Sequence, residues 1–204
     1  MSQPENGQNV SSSETGASAP QKNSGFFGET LRFVFITLLI VIPIRYFIAQ
    51  PFIVSGDSMV PTFENGEYLI VDEISYRFDE PARGDVVIFR YPRDPKKFFI
   101  KRIIGLPGET IHINGKITTI EEPGGNTFTI TEDYAIDRGG LKVKTSATLE
   151  DDEYYVLGDN RGASSDSRVW GPLKRSLIIG KPIVRLFPLY RLALTPGKYE
   201  PIER

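Results

Sequence analysis

The sequence of 204 residues contains no cysteine and only one histidine. The lack of cysteine excludes disulfides, thiol nucleophiles and cysteine-ligated metal sites. The sequence also lacks a large excess of either positive or negative charge, because its formal net charge is only −2. It therefore offers no electrostatic basis for binding nucleic acid.

The single histidine, His112, lies in the stretch ETIHINGKITTI, where it alternates with Ile111 and Ile113. This alternation predicts a strand with His112 on its exposed face, followed by a hairpin turn at Asn114-Gly115. A Ser-His-Asp triad and a histidine-rich metal site are therefore disfavoured. We expect no metal and no cofactor, and a lysine or a carboxylate as the base of any activated serine.

Long hydrophobic runs are scarce as well. Residues 1–25 are rich in Ser, Gly, Asn, Gln and Glu, a composition that predicts a disordered tail. The longest charge-free apolar run, 33–44, would span about 18 Å as a helix, which is short for a hydrocarbon core of about 30 Å. Taken alone, this run could equally be a buried helix.

Residues 26–49 are nevertheless predicted to form a single membrane-spanning helix. Glu29 and Arg32 can pair at one membrane edge, and Arg45 can extend to the interface at the other. Pro43 predicts a kink or the end of the helix. The long polar tail in front of the run argues against a cleaved signal peptide, so we expect the helix to remain as an anchor, and the distribution of basic residues weakly favours a cytoplasmic tail.

From residue 50 to 204, short β-branched and aromatic runs alternate with Gly- and Pro-containing turns. This pattern predicts a mainly β domain with antiparallel sheets. The segment of about 111–153 is predicted to be a small inserted β subdomain. The apolar stretches near the C-terminus are too interrupted by charge and proline to form a second membrane span.

The stretch SGDSMVPTF, residues 55–63, follows the apolar N-terminal region directly. Its Ser, Gly, Asp and Pro residues are typical of a loop between strands. Ser58 could therefore be an ordinary turn residue or a nucleophile. As a nucleophile it would need a nearby base, because a serine hydroxyl is weak until its proton is removed.

Lys101 is a candidate for that base. It lies in FFIKRIIGLPGE, where Phe99, Lys101 and Ile103 share one face of a predicted strand. Such a lysine either extends its charge from the edge of a sheet or is buried well enough to lose its charge.

A second polar cluster, GDNRGASSDSR, occupies residues 158–168 between two apolar runs. It could be a surface loop in which Asp166 and Arg168 form an exposed ion pair worth under about 1 kcal/mol. It could also contribute to a site with Ser58 and Lys101.

Four segments in this order resemble the bacterial type I signal peptidases, which are membrane-anchored serine proteases with a Ser/Lys dyad. The segments are SGDSMVPT, RGDVVIF, KRIIGLPGE and GDNRGASSDSR, and the resemblance runs from the N-terminal apolar segment to about Phe187. It implies that Ser58 is the nucleophile, that Lys101 is the general base and that Ser164 orients the lysine by a hydrogen bond.

The resemblance also implies two ion pairs that brace the site, Asp159 with Arg102 and Asp166 with Arg168, and a place for Met59 in the substrate-binding region. Some members of the family carry a serine two residues before the nucleophile, whose hydroxyl helps to hold the oxyanion. That position is Gly56 here, so the oxyanion hole is expected to rest on backbone N–H groups such as that of Ser58.

The implied function is removal of signal peptides from exported preproteins at the outer face of the cytoplasmic membrane. The partners would be preprotein signal peptides, bound as an added β-strand with small residues at the first and third positions before the cut, and membrane lipid, but no nucleic acid. One alternative is a self-cleaving Ser/Lys protein, although the Ala-Gly and Cys-Gly dipeptides that such proteins cut are absent. The other is a non-catalytic, membrane-anchored β domain of the cell envelope.

Overall fold

The computed structural model describes residues 25–43, 49–137 and 144–199. The predicted disordered tail lies outside the described residues except for its last residue, and Arg45 lies outside them as well. The chain divides into two compact units, residues 1–40 and 41–204.

The N-terminal helix α1 spans Gly25–Pro43. The helix therefore ends at Pro43, where the sequence predicted a kink or an end. It does not extend to residue 49, the predicted boundary of the membrane-spanning helix. Along the described part of the chain, no helix is both long enough and apolar enough to cross a membrane.

The larger unit is mainly β, as predicted, and every pairing between its named strands is antiparallel. Its main sheet has eight strands in the order β1-β2-β11-β3-β4-β9-β10, with β12 paired to β11. The bounds are β1 (Ala49–Ile53), β2 (Tyr68–Asp72), β3 (Val86–Tyr91), β4 (Asp94–Gly105), β9 (Glu153–Leu157), β10 (Leu173–Lys174), β11 (Ile178–Phe187) and β12 (Ala193–Leu194).

Strand β1 was missing from the sequence-based prediction. Ala49 is the first residue of this strand and not the last residue of the helix. The strand also contains Pro51 and pairs only with β2, at one end of the sheet. Proline is accepted in edge strands because no ladder partner needs its missing N–H.

A second sheet has four strands in the order β7-β6-β5-β8. These are β5 (Thr110–Asn114), β6 (Ile117–Glu121), β7 (Thr127–Ile130) and β8 (Lys144–Thr148). Ile111 and Ile113 of β5 are buried and His112 between them is exposed, which confirms the predicted alternation. Short helical segments complete the fold: α2 (Ser167–Trp170) and 3₁₀ turns at Ser75–Arg77, Arg161–Ala163, Arg175–Leu177 and Leu189–Arg191.

Strand β4 contacts three separate clusters of apolar side chains. Ile103 belongs to the cluster between β3, β9 and β10, and Ile104 belongs to the cluster under the four-stranded sheet. Ile100 packs on a third cluster, formed with residues of the loop after β1. Lys101 and Arg102 therefore lie on a strand that is fixed by the core on both of its faces.

Strand β11 approaches β2 so closely at Gly180 that no side chain fits there. A β-carbon at this position would lie 2.0 Å from the carbonyl oxygen of Asp72. The pairing of β11 with β3 also shifts register between Ile178 and Gly180. Gly180 therefore allows one strand to pair with both of its neighbours.

Gly180→Ala is expected to lower the free energy of unfolding by about 1–3 kcal/mol, because the added methyl group would force two backbones apart. Urea unfolding followed by circular dichroism measures the change. The matched control is Gly124→Ala, where a β-carbon meets no atom within 4 Å. Equal stability of the two variants would contradict this close approach.

Candidate active site

Ser58 lies in the loop between β1 and β2. The loop is closed by hydrogen bonds from the backbone N–H of Val54 to the carbonyl of Glu67 (2.9 Å) and from the N–H of Gly56 to Oδ1 of Asn65 (2.9 Å). Gly56 has a φ angle of +92°, a conformation that glycine adopts without strain. The loop around Ser58 is therefore held by hydrogen bonds among its own residues.

Met59 occupies a different place from the one expected. Its side chain is 1% exposed and packs in the core with Val54, Phe63 and Leu69, so it does not line an open region. The turn that directs Ser58 outward directs the adjacent Met59 into the core. Met59 thus supports the Ser58 loop from its core-facing side.

Lys101 contacts Ser58 directly. Its Nζ lies 2.7 Å from Oγ of Ser58 and 2.8 Å from the carbonyl oxygen of Ile100. The lysine is only 3% exposed, and Nζ lies 5.4 Å from the centre of the Phe99 ring. The sequence left open whether Lys101 extends from the edge of the sheet or is buried, and in the structure it is buried.

Burial lowers the pKa of Lys101 to about 8, against the opposing effect of the negative charges of Asp166 and Asp159. Desolvation penalises the ammonium form, and the two carboxylates favour it. At pH 7, a lysine with this pKa is neutral in about one molecule in ten, compared with about one in 2,500 for an unperturbed lysine. The neutral amine is the form that can accept a proton from a serine hydroxyl.

The first of these carboxylates is paired with Arg102. Nε and Nη2 of Arg102 donate to the two oxygens of Asp159 at 3.0 and 2.7 Å, and both side chains are almost fully buried. Thr62 donates a further hydrogen bond of 2.5 Å to the same carboxylate.

The second carboxylate is paired with Arg168. Nε and Nη2 of Arg168 donate to Asp166 at 2.8 and 2.7 Å, and Asp166 also accepts from the backbone N–H of Gly158 at 3.1 Å. Each acid near Lys101 is therefore matched by an arginine, in the pairs expected from the resemblance. These pairs are buried, unlike the exposed ion pair considered for Asp166 and Arg168.

Ser164 differs from expectation in one respect. Its hydroxyl oxygen is buried and has no hydrogen-bond partner among the described residues, so the predicted hydrogen bond to Lys101 is not formed in this structure. A buried hydroxyl without a partner costs about 1–3 kcal/mol. The orienting role of Ser164 stays a prediction.

Two further residues contact the Ser58 loop and were not predicted. The backbone N–H of Asn160 donates to the carbonyl of Ser58 at 3.0 Å, and Nδ2 of Asn160 donates to the carbonyl of Asp57 at 3.1 Å. At Gly158, a β-carbon would lie 2.4 Å from the Ser58 carbonyl oxygen and 2.2 Å from Oγ of Ser164. The glycine of the GDNRG stretch was the available sequence signal for this close approach.

A cavity of about 300 Å³ lies next to Ser58. Its lining is mostly apolar and comes from the end of β1, from β4 and from the core between them, namely Phe52, Ile53, Val54, Ser55, Ser58, Leu69, Ile88, Lys97, Phe98, Phe99 and Ile100. Within the described ranges, no three His, Asp or Glu side chains are grouped so that they could hold a metal ion.

Comparison with known proteins identifies the family. A family model described as "Signal peptidase, peptidase S26" matches residues 27–187. The chain is 34% identical over 174 residues to a probable signal peptidase I-1 of Synechocystis sp., covering 81% of this chain and 85% of that protein. It is 36% identical over 184 residues to a signal peptidase I of Leptolyngbya laminosa, covering 86% and 87%.

A crystal structure of a signal peptidase I from Enterococcus faecalis V583 aligns with a TM-score of 0.43 and 28% identity, over 50% of this chain and 97% of that one. The chain belongs to the signal peptidase family, peptidase S26, as the matched segments and the sequence relatives establish. It is a serine endopeptidase of that type.

Gly158→Ala is expected to lower kcat by about 100-fold, because the added methyl group would displace the Ser58 backbone and a shift of about 1 Å in a reacting group has this effect. The cleavage rate of a preprotein at saturating concentration measures the loss. Gly124→Ala, which is unhindered, serves as the control. A Gly158→Ala enzyme with full kcat would show that the loop tolerates this displacement.

Proposed function

We propose that this enzyme removes N-terminal signal peptides from exported preproteins, with Ser58 as the nucleophile and Lys101 as the general base. The contact of 2.7 Å between Lys101 Nζ and Ser58 Oγ carries this proposal. The apolar surroundings of the lysine support it further, because they favour the neutral amine.

The reaction has two halves. The neutral amine of Lys101 takes the proton from Ser58 Oγ as that oxygen attacks the carbonyl before the cleaved bond. The resulting ammonium gives the proton to the leaving nitrogen, which releases the mature protein and leaves an acyl ester on Ser58. Lys101 then activates a water molecule in the same way, and this water releases the signal peptide.

The oxyanion of each tetrahedral intermediate is assigned to backbone donors, including the N–H of Ser58. Gly56 has no side chain to donate, and a β-carbon there would meet no atom within 4 Å. Loss of one oxyanion donor usually costs about 2.7–4 kcal/mol, so a backbone donor or a water molecule must serve where some relatives use a hydroxyl.

The substrate is assigned to the groove beside Ser58 as an added strand. Strand β1 is an edge strand, and residues 94–100 of β4 pair only with β3. The cavity lies between these two open edges. Alternate residues of an extended peptide point to the same side, so the first and third residues before the cut would both face this cavity, and the preference for small residues there is taken from the family resemblance.

Membrane lipid is the second proposed partner. In this proposal α1 belongs to a single-pass anchor. The N-terminus lies in the cytoplasm, and the catalytic unit lies at the outer face of the cytoplasmic membrane. Ile53 and Phe187 are both paired with Tyr68 and both exposed, at the end of the sheet from which the Ser58 loop leaves. Leu189 and Tyr190 follow and are more than three-quarters exposed. An apolar surface next to the nucleophile supports cleavage close to the lipid.

The turn that carries Leu189 and Tyr190 contacts the loop that carries Ser58. Arg191 donates to the carbonyl of Pro61 at 3.0 Å and pairs with Glu64 at 2.6 Å. A lipid surface that bound Leu189 and Tyr190 would therefore hold Ser58 at a constant depth, where the end of a signal peptide leaves the bilayer.

The proposal is tested with a purified preprotein and N-terminal sequencing of the product. Ser58→Ala and Lys101→Arg should each abolish cleavage, because arginine stays charged and cannot act as the base. Ser165→Ala and Lys116→Arg, both at exposed positions, should retain full activity. The new N-terminus should follow a small residue, with another small residue two positions earlier.

The pH dependence gives a separate measurement. Because only the neutral lysine accepts the proton, activity should rise with pH through about 8, the pKa expected for buried Lys101. Cleavage by Lys101→Arg would assign the base to another group. Uncleaved preprotein with the unmodified chain would favour a non-catalytic envelope domain, and cuts within this chain alone would favour a self-cleaving protein.

The lipid contact predicts a substrate-dependent defect in the double variant Leu189→Ser, Tyr190→Ser. Each apolar side chain that leaves the lipid loses about 1.5–3 kcal/mol, so processing of a preprotein embedded in vesicles should slow at least about tenfold. Cleavage of a short soluble peptide should be unchanged. Ile117→Ser, at an exposed position of the four-stranded sheet, is the control, and an equal effect on both substrates would contradict a lipid role.

A further inference from the structure

The C-terminal residues 195–199 lie beyond the part of the chain that matches the family model, which ends at residue 187. They nevertheless contact the buried arginine of the active site. Nη1 of Arg102 donates to the carbonyl of Gly197 at 2.7 Å and to that of Gly84 at 2.8 Å. Gly197 thus supplies one of the two backbone acceptors of this group.

Aromatic rings occupy the face of the same guanidinium. Its central carbon lies 4.1 Å from the ring centre of Tyr134 and 5.9 Å from that of Tyr199. The two tyrosines also contact each other edge to face, with ring centres 4.5 Å apart. Tyr199 thus packs against Tyr134, which stacks on Arg102.

Three contacts fix the segment in this position. The N–H of Thr195 donates to the carbonyl of Ile183 at 2.8 Å, and the hydroxyl of Tyr199 donates to the carbonyl of Thr131 at 2.6 Å. Between them, Gly197 has a φ angle of +81°, and a β-carbon on it would lie 2.8 Å from the ring of Phe63. The segment therefore connects β11, the Ser58 loop and the chain after β7.

We propose that residues 195–199 form a positioning element of the active site, which holds Arg102 against Asp159 beside Lys101. This inference rests on the proposed role of Lys101 as the base. Two acids act on Lys101, Asp159 and Asp166, and each is neutralised by its own arginine, Arg102 or Arg168. Only the first pair is held by the C-terminal segment.

The consequence is electrostatic. An Asp159 carboxylate that is less well paired presents more negative charge to Lys101, which favours the ammonium form and raises the pKa of the lysine. Activity near neutral pH then falls, because a smaller fraction of the enzyme carries the neutral amine. At high pH the lysine is deprotonated in any case, so activity returns.

The test is the pH profile of kcat/KM for a soluble peptide substrate, measured with the full chain in detergent. Tyr199→Ala should raise the apparent pKa by about 0.5–1 pH unit, and thereby lower activity at pH 7 about three- to tenfold while most activity at pH 10 is retained. Tyr199→Phe keeps the ring and loses only the hydrogen bond to Thr131, so it should shift the apparent pKa in the same direction but by less than Tyr199→Ala. Phe78→Ala, at an exposed aromatic position, is the matched control.

Gly197→Ala provides a second variant, because it disturbs the segment from the side of Phe63 and leaves both tyrosines in place. It should shift the profile in the same direction. If the unmodified enzyme shows its apparent pKa near 8 and neither variant moves it, or if both lower activity equally at all pH values, the positioning role is wrong although the proposed base stands. If the unmodified enzyme shows no such pKa, the proposed base is wrong and this inference is lost with it.

Discussion

The candidate active site depends on a lysine that is buried against a serine and that, among the described residues, has no acid paired to it directly. Burial of a charged amine is unfavourable, and the protein accommodates it because the amine can lose its proton. The surroundings must then avoid restoring the charge. The two acids nearby, Asp159 and Asp166, are therefore bound to Arg102 and Arg168, and the arginines in turn require backbone carbonyls and aromatic rings as partners.

This requirement explains why the site draws on distant parts of the chain. Ser58 comes from the loop after an edge strand, Lys101 and Arg102 are adjacent on β4, and both acids follow β9. Since β4 pairs with β9 along residues 102–105, the acids are brought to the two basic residues by the sheet itself. The loop that carries Ser58 is then held down by Asn160 and by the close approach at Gly158.

Much of this could be predicted from the sequence. Alternating and apolar runs predicted a mainly β domain with antiparallel sheets, and the apolar neighbours of Lys101 along its strand were a signal of its burial. Strand β1 was missed because AQPFI comes at the end of an apolar stretch of the sequence, lacks an alternating pattern and contains a proline. Met59 was misplaced because its position next to Ser58 in sequence does not reveal that the two side chains point in opposite directions.

Other features left no signal in the sequence. Thr62 and Tyr199 contribute through contacts with residues that lie far away along the chain, and neither spacing nor periodicity encodes such contacts. The unpartnered hydroxyl of Ser164 belongs to the same class, because hydrogen bonding depends on rotamers and on distances of a few tenths of an ångström. Pattern recognition therefore finds the strands and the candidate catalytic residues, whereas the groups that surround these candidates are brought together only by the fold.

The proline in β1 has a consequence for the selectivity of the edge. An open strand edge next to an apolar cavity would normally also pair with the edge of another molecule, and such pairing leads to aggregation. Pro51 directs its missing N–H to the open side, so the hydrogen-bond ladder offered there is interrupted after a few residues. A short extended segment can still bind beyond the interruption, toward Ile53 and the nucleophile, whereas a long strand cannot pair without a break. In the proposed function, this edge thus suits a short extended substrate, whereas Pro51 disfavours edge-to-edge pairing with a second copy of the chain.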